Sequence, residues 1–234
     1  IDEFFMDVTD SYHRFNSTVF AFCKRFQNEI LEETGIHCTI GIGSNMLLSK
    51  VAMDIEAKHT ENGIAEWRYQ DVPEKLWPIQ PLRDFWGINK RTEKKLNKRG
   101  IFTIGDLAKY PYHYLKRDFG VLGIDMHLHA NGIDQSKVRE KYKVTNPSIC
   151  KSQILMRDYQ FEESKVVMQE LIEDVASRLR AEKKLARTIH FSFGYAEGGG
   201  IHKQYTLEDP TNLERDIFKV INYFACLLYT SLMA

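Results

Sequence analysis

The sequence predicts an α+β fold built in more than one part, and three observations carry that prediction. Apolar and polar residues alternate in short runs at 36–42, 187–195 and 201–207. Apolar residues recur every three or four positions at 15–30, 46–57 and 166–179, the period of helices that bury one stripe. Between these β-bearing ends lies a stretch of short helical signals punctuated by Pro73, Pro78 and Pro81. At 234 residues the chain is long enough for one large domain or two to three small ones. Lys plus Arg (32) balance Asp plus Glu (32), so only local clustering can point to a polyanion. No apolar run approaches the ~20 residues of a membrane span, so no membrane partner and a cytoplasmic location are expected. Cys23, Cys38, Cys150 and Cys226 form no Cys-x-x-Cys pair, which fits reduced thiols better than zinc or a disulfide framework.

The first stretch, Ile1-Asp2-Glu3-Phe4-Phe5-Met6-Asp7-Val8-Thr9-Asp10, places two adjacent carboxylates at the head of an aromatic, β-branched run. It reads as a strand already under way, with no initiator Met and no signal peptide, so an internal piece of a longer protein is expected. In a regular strand Asp2 and Glu3 point to opposite faces; both reach one site only at a turn. A bound cation and a solvated strand end are both open readings of this pair. A helix follows, with Phe15, Val19, Phe22, Phe26 and Ile30 inward, Asp10 or Ser11 as N-cap and Gly35 at its end. Ile36 to Ile42 then reads as a strand, and Gly43-Ser44-Asn45 leads into a second helix, about Met46 to Ala57. Lys50, Asp54 and Lys58 fall four residues apart on one side of that helix, a spacing that also suits a solvated ion-pair row.

In Leu82 to Leu96 a short helix, a turn at Gly87-Ile88-Asn89 and a second helix resemble a helix-hairpin-helix module. Such a hairpin offers backbone N–H groups at a helix N-terminus to a DNA phosphate without reading sequence. Asn89 stands where a second Gly is usual and is expected to tolerate φ > 0 there. Lys90, Arg91, Lys94, Lys95, Lys98 and Arg99 supply the basic cluster that the overall charge conceals. Thr103 should cap a helix burying Ile104, Leu107 and Ala108, and short helices continue to about Ala130. Residues 135–147 are polar and aperiodic, a linker whose Lys137, Arg139, Lys141 and Lys143 could touch a duplex. The last block reads β-α-β-β-α: a strand at Ile149 to Leu155, then a helix with Val166, Val167, Leu171, Val175 and Leu179 inward. Strands Arg187 to Tyr195 and Ile201 to Leu207 follow, joined through Gly198-Gly199-Gly200, and then a helix opened by Asp209-Pro210 with a capping box from Thr211 to Glu214.

The opening stretch is similar to the second catalytic motif of the Y-family (translesion) DNA polymerases, roughly S-I-D-E-A-Y-L-D-V-T. Gly41 to Asp54 with Ala57-Lys58 is similar to that family's third palm motif. The likeness runs through nearly the whole chain and is nearest the UmuC-like, ImpB/MucB/SamB branch. It implies a partial palm over 1–69, an all-helical thumb over 70–134, a linker at 135–147 and a little finger domain over 148–234 that lacks its last strand. The resemblance implies that Asp2 and Glu3 are catalytic carboxylates that bind Mg²⁺, and that Lys58 contacts the incoming triphosphate. Gly87, Asn89, Lys90, Arg91, Lys94 and Lys95 would meet DNA, and Asp7 is left to structure. The implied partners are primer–template DNA and deoxynucleoside triphosphates, with a sliding clamp as an open further candidate. The implied function is error-prone nucleotidyl transfer in DNA repair of the SOS type, in a piece inactive by itself. Two other classes stay open on the residues alone: a non-catalytic, sequence-independent DNA-binding protein, and metal-dependent phosphodiester hydrolysis.

Overall fold

The computed structural model describes residues 2–15, 17–140 and 147–232, with side chains through residue 227. The chain divides between residues 142 and 143 into two compact units. In the first, helix α1 (Val19–Thr34) is capped by Thr18, whose Oγ1 accepts from Ala21 N at 3.2 Å, and ends where Gly35 turns to φ 72°. The expected caps Asp10 and Ser11 are not used. Ser11 turns its hydroxyl onto the Val8 carbonyl, and a short 3₁₀ turn at Tyr12–Phe15 intervenes.

Strand β1 (Ile40–Gly43) runs through helix α2 (Met46–Ile55) into strand β2 (Ile64–Trp67), and the strands pair in parallel with Ile40 opposite Ile64 and Gly43 opposite Trp67. This is the right order for a crossover unit, since parallel neighbours need a helix-length connection. The strand expected from Ile36 shortens because β2 offers a ladder of only four residues. Residues 2–8 form no strand. They join neither edge of this sheet, and their largely exposed backbone can be satisfied by water. Aromatic contacts hold them instead: Phe4 meets Phe26 of α1 edge-on at 6.4 Å, and Phe5 lies 6.5 Å from Trp86.

Helix α2 lies hard against β1. A Cβ on Gly41 would stand 1.9 Å from Ser49 O, and one on Gly43 2.2 Å from Ser49 N. Ser49 Oγ donates to Gly41 O at 2.7 Å in the space this leaves. The opposite side of α2 buries Leu47, Leu48, Val51 and Ala52 in a core shared with Trp67, Leu76, Leu96, Leu107, Leu115 and Ala130. That core includes α3 (Lys90–Asn97), α4 (Ile104–Lys109), α5 (Tyr112–Phe119) and α6 (Val121–Ala130), so packing continues across 68–71, where the sequence changes texture. Thr103 caps α4 in a capping box with Asp106, as its position predicts.

The second unit is α7 (Phe161–Ala181), β3 (Ala186–Gly194), β4 (Gly200–Thr211) and α8 (Glu214–Leu232), with the strands antiparallel about the triple glycine. The strand expected at 149–155 does not form: Ile154 is 93% exposed and, among the described residues, no neighbour pairs with the segment. The buried stripe of α7 is Met168, Ile172, Ala176 and Leu179; Val166, expected inward, faces solvent. β4 runs on through Pro210, so Thr211 belongs to the strand end and bonds Leu213 N and Asp216 ahead of α8. Ile189 and Phe191 face the core while Thr188, His190 and Ser192 face outward, the alternation the sequence predicts. Lys141 and Lys143 of the expected linker lie outside the described residues.

Because the neighbour at Gly41 is helix backbone rather than a flexible side chain, Gly41→Ala should lower the first unit's unfolding free energy in urea by ~1–3 kcal/mol or more. Gly194→Ala, where a Cβ meets nothing within 4 Å, is the matched control and should shift stability little.

Candidate functional site

The site grows from helix α2. With Ser49 fixed on β1, the 100° step per residue brings Lys50, Asp54 and the following Lys58 to one side, facing the irregular segment 2–8. Lys50 Nζ donates to both Glu3 oxygens at 2.8 Å and to Asp54 Oδ1 at 3.2 Å, while Lys58 Nζ donates to Asp54 Oδ1 at 2.7 Å. Four side chains thus alternate in charge: Glu3, Lys50, Asp54, Lys58. Partial burial acts to lower the Lys50 pKa, but its bonds to Glu3 and Asp54 outweigh this and raise it. Burial likewise acts to raise Asp54, and the bonds from Lys58 and Lys50 bring it below the ordinary carboxylate value.

Asp2 and Glu3 differ in what holds them. Asp2 is exposed and makes no hydrogen bond or ion pair among the described residues, whereas both Glu3 oxygens are held by Lys50. Asp7 accepts from Thr9 N at 3.1 Å in a local turn. Mg²⁺ takes near-octahedral oxygen ligation, and no group of three His, Cys, Asp or Glu side chains that could hold a metal occurs among the described residues. Asp2 and Glu3 therefore do not by themselves fit a complete Mg²⁺ site.

Beside this array stands the hairpin. The 3₁₀ turn Leu82–Asp84 leads to Gly87, at φ 91°, and to Asn89, the N-cap of α3. Asn89 does not adopt the positive φ expected of it. It sits at φ −90°, ψ 167°, and its Oδ1 accepts from Arg91 N at 3.0 Å and Thr92 N at 2.9 Å. Those two N–H groups are thus engaged inside the protein. Buried Glu93 locks the hairpin by accepting from Arg83 N and Arg83 Nη1, both at 3.3 Å. Leu96, Thr92 and Glu93 face inward, leaving Lys90, Arg91, Lys94, Lys95 and Lys98 exposed and in no ion pair among the described residues. Arg99 differs: Arg117 and Arg99 both donate to Asp118 and bring its pKa down to about 2. A cleft of about 400 Å³ lies between array and hairpin, lined by Asp54, Arg83, Asp84, Phe85, Trp86, Gly87, Ile88 and Asn89.

Lys50 is the residue that sequence reading left in a surface row. Its four-residue spacing from Asp54 was legible; its partner Glu3, 47 positions away, was not.

Residues 1–54 match the sequence model of the impB/mucB/samB family, residues 69–101 match its helix-hairpin-helix motif, and residues 146–223 match its C-terminal domain. The chain is 46% identical over 210 residues to the DNA repair protein homolog YobH of Bacillus subtilis (strain 168), covering 88% of this chain and 94% of YobH. The chain belongs to the impB/mucB/samB family. It is also 47% identical over 200 residues to the putative UV-damage repair protein UvrX of the same organism, covering 84% of this chain and 48% of UvrX. With B. subtilis DNA polymerase IV 2 it shares 35% identity over 226 residues, covering 94% of this chain and 54% of the polymerase. The chain thus spans about half the length of these last two relatives. A solved Y-family DNA polymerase chimera superposes with a TM-score of 0.67 over 97% of this chain and 63% of its own, at 18% identity, which places the chain in that α+β fold.

The alternating array has a testable pH signature. Asp54 is lowered in the folded state, so its contribution is full above the ordinary value of 3.8 and lost as pH falls below it through the folded pKa. Asp54→Asn should cost ~1.5–3 kcal/mol at neutral pH, the range for hydrogen bonds to a charged group, and the difference from wild type should shrink as a urea-denaturation series is carried from pH 5 toward pH 2.

Proposed function

We propose that this chain is the part of an error-prone DNA polymerase that carries two of its catalytic carboxylates, its triphosphate-contacting lysine and its duplex grip. The observation that carries the reading is the carboxylate–lysine array on α2 beside a hairpin whose helix α3 carries cations in no ion pair among the described residues, with Asp54 of the array and residues 83–89 of the hairpin lining one cleft. Family membership supports it: relatives bear the names DNA polymerase IV and UV-damage repair protein. The proposed setting is translesion synthesis in a damage response of the SOS type, in the cytoplasm. No helix among the described residues is long and apolar enough to cross a membrane.

In this reading the palm part is 1–69, the thumb 70–134 and the little finger 148–234. Lys90, Arg91, Lys94 and Lys95 neutralise phosphates of primer–template DNA, and the hairpin at Gly87 brings a strand close without reading bases. Lys58, 46% exposed and bound among the described residues only to Asp54, can turn to a triphosphate and offset the charge that collects on departing pyrophosphate. Mg²⁺ is the proposed cofactor; when bound it would activate the attacking hydroxyl and hold the triphosphate. Asp2 and Glu3 would contribute ligands only together with oxygen donors from outside the described residues. The Asn89 cap shifts phosphate binding from the N–H groups of Arg91 and Thr92 to the side chains around them.

Two measurements test this. Anisotropy with labelled primer–template DNA should show salt-sensitive binding by the chain without primer extension. Lys94→Gln with Lys95→Gln should weaken binding alike on unrelated sequences and flatten log K against log salt by about 1.8, at about 0.9 per lost phosphate contact. An unchanged slope would remove the hairpin helix from the interface. In a longer polypeptide containing this segment, Asp2→Ala should abolish extension and leave DNA affinity within about twofold, since Asp2 makes no hydrogen bond or ion pair among the described residues. A matched loss of both would make Asp2 a binding or folding residue instead.

A further inference from the structure

We infer that Trp86 is a stacking platform for the terminal 3′ nucleotide of the bound primer strand. The inference rests on the DNA-binding reading above. Of the three tryptophans, Trp67 is buried and donates its indole N–H to Glu56 at 2.6 Å, and Trp77 packs on the core and donates to Ala130 O at 3.1 Å. Trp86 has neither use. It is 42% exposed between buried Phe85 and Ile88, makes no hydrogen bond among the described residues, and borders the cleft next to the Gly87 turn. Phe5 braces its ring from the segment that carries Asp2 and Glu3, with the two planes at 54°.

The charges around it decide what can lie on it. Asp54, Asp84 and Arg83 line the same cleft, and Arg83 is already engaged by Glu93, so a phosphate inside meets more acid than base, while the cations in no ion pair among the described residues stand outside along α3. A neutral base with its sugar suits an acid-rimmed aromatic slot, and the phosphates that follow it run out to the lysines. Within a duplex each base is covered on both faces, so only an end base has a face to offer, and the platform holds it only until an incoming nucleotide takes that face. The brace from Phe5 sets this slot beside the carboxylates proposed to act at the 3′ end. Every base has a π face, so the platform is indifferent to sequence.

The test uses the 234-residue chain and primer–template DNA with 2-aminopurine at the primer 3′ end, or ten nucleotides inside, with a fluorescein label on the template reporting binding by anisotropy. Binding should change emission of the terminal probe and not the internal one. Trp86→Ala should remove that change and weaken affinity about tenfold, as loss of one stacked base does, while Trp86→Phe keeps most of both. In the wild type, DNA should also protect the acrylamide-accessible fraction of tryptophan emission, a readout that needs no variant. Binding by anisotropy with the terminal probe alike in wild type and Trp86→Ala, or with tryptophan accessibility unchanged, overturns the platform and leaves the DNA-binding reading standing. No binding by wild type overturns both.

Discussion

The close approach of α2 to β1 is the constraint on which the site depends. Two glycines let Ser49 backbone come where any side chain would collide, and the Ser49 hydroxyl fastens the contact by donating to Gly41 O. Once Ser49 is fixed, the helical period leaves no choice about the rest. Leu47, Leu48, Val51 and Ala52 turn into the core, and Lys50 and Asp54 turn toward residues 2–8. The N-terminus of α2 is held as firmly. Asn45 caps it through Leu48 N and donates to Gly132 O at 2.8 Å, and the Asp134 carboxylate accepts from Leu47 N at 3.1 Å. The helix bearing the charges is therefore set against the sheet along one side and against the end of the helical block at its start.

The charged array is graded in a way that suits exchange of partners. Lys50 is only 11% exposed, and Asp54 is bonded on both sides, so the middle of the array is stiff. Its two ends, Glu3 and Lys58, are about half exposed. Exposed ion pairs are worth only ~0.2–1 kcal/mol, so Lys58, half exposed, can turn from Asp54 to a phosphate at modest cost. The fold thus keeps fixed what aligns the site and leaves loose what would meet substrate.

How much of this was legible follows from what each element needs. Helices announce themselves locally: Gly35, Asn45 and Thr103 act where their types and positions predict, because capping is settled within a few residues. Strands do not, since a strand exists only with a neighbour. Residues 2–8 and 149–155 have β-like composition and no ladder, while Ile64-Ala65-Glu66-Trp67, too short to stand out, pairs because β1 lies beside it. In the site, the residue types came from sequence but the connection of Glu3 to Lys50 could not, since nothing local links them. Asn89 shows a subtler miss. Its side chain offers an acceptor as well as tolerance of positive φ, and the helix start claimed the acceptor.

That exchange at Asn89 bears on how the hairpin would hold DNA. A glycine there would leave the N–H groups of Arg91 and Thr92 open at a helix N-terminus, where they could grip one phosphate at one fixed point. The asparagine closes them and would leave the work to long, rotatable side chains on α3, none tied to an acid among the described residues. Such cations would follow a backbone without fixing its register, and the proposed aromatic face at the mouth of the cleft would add a contact equally blind to base identity. Grip that is spread over flexible charges tolerates a distorted strand better than grip at a rigid point, because no single misplaced phosphate costs the whole interaction. A surface of that kind would suit the proposed synthesis past irregular template.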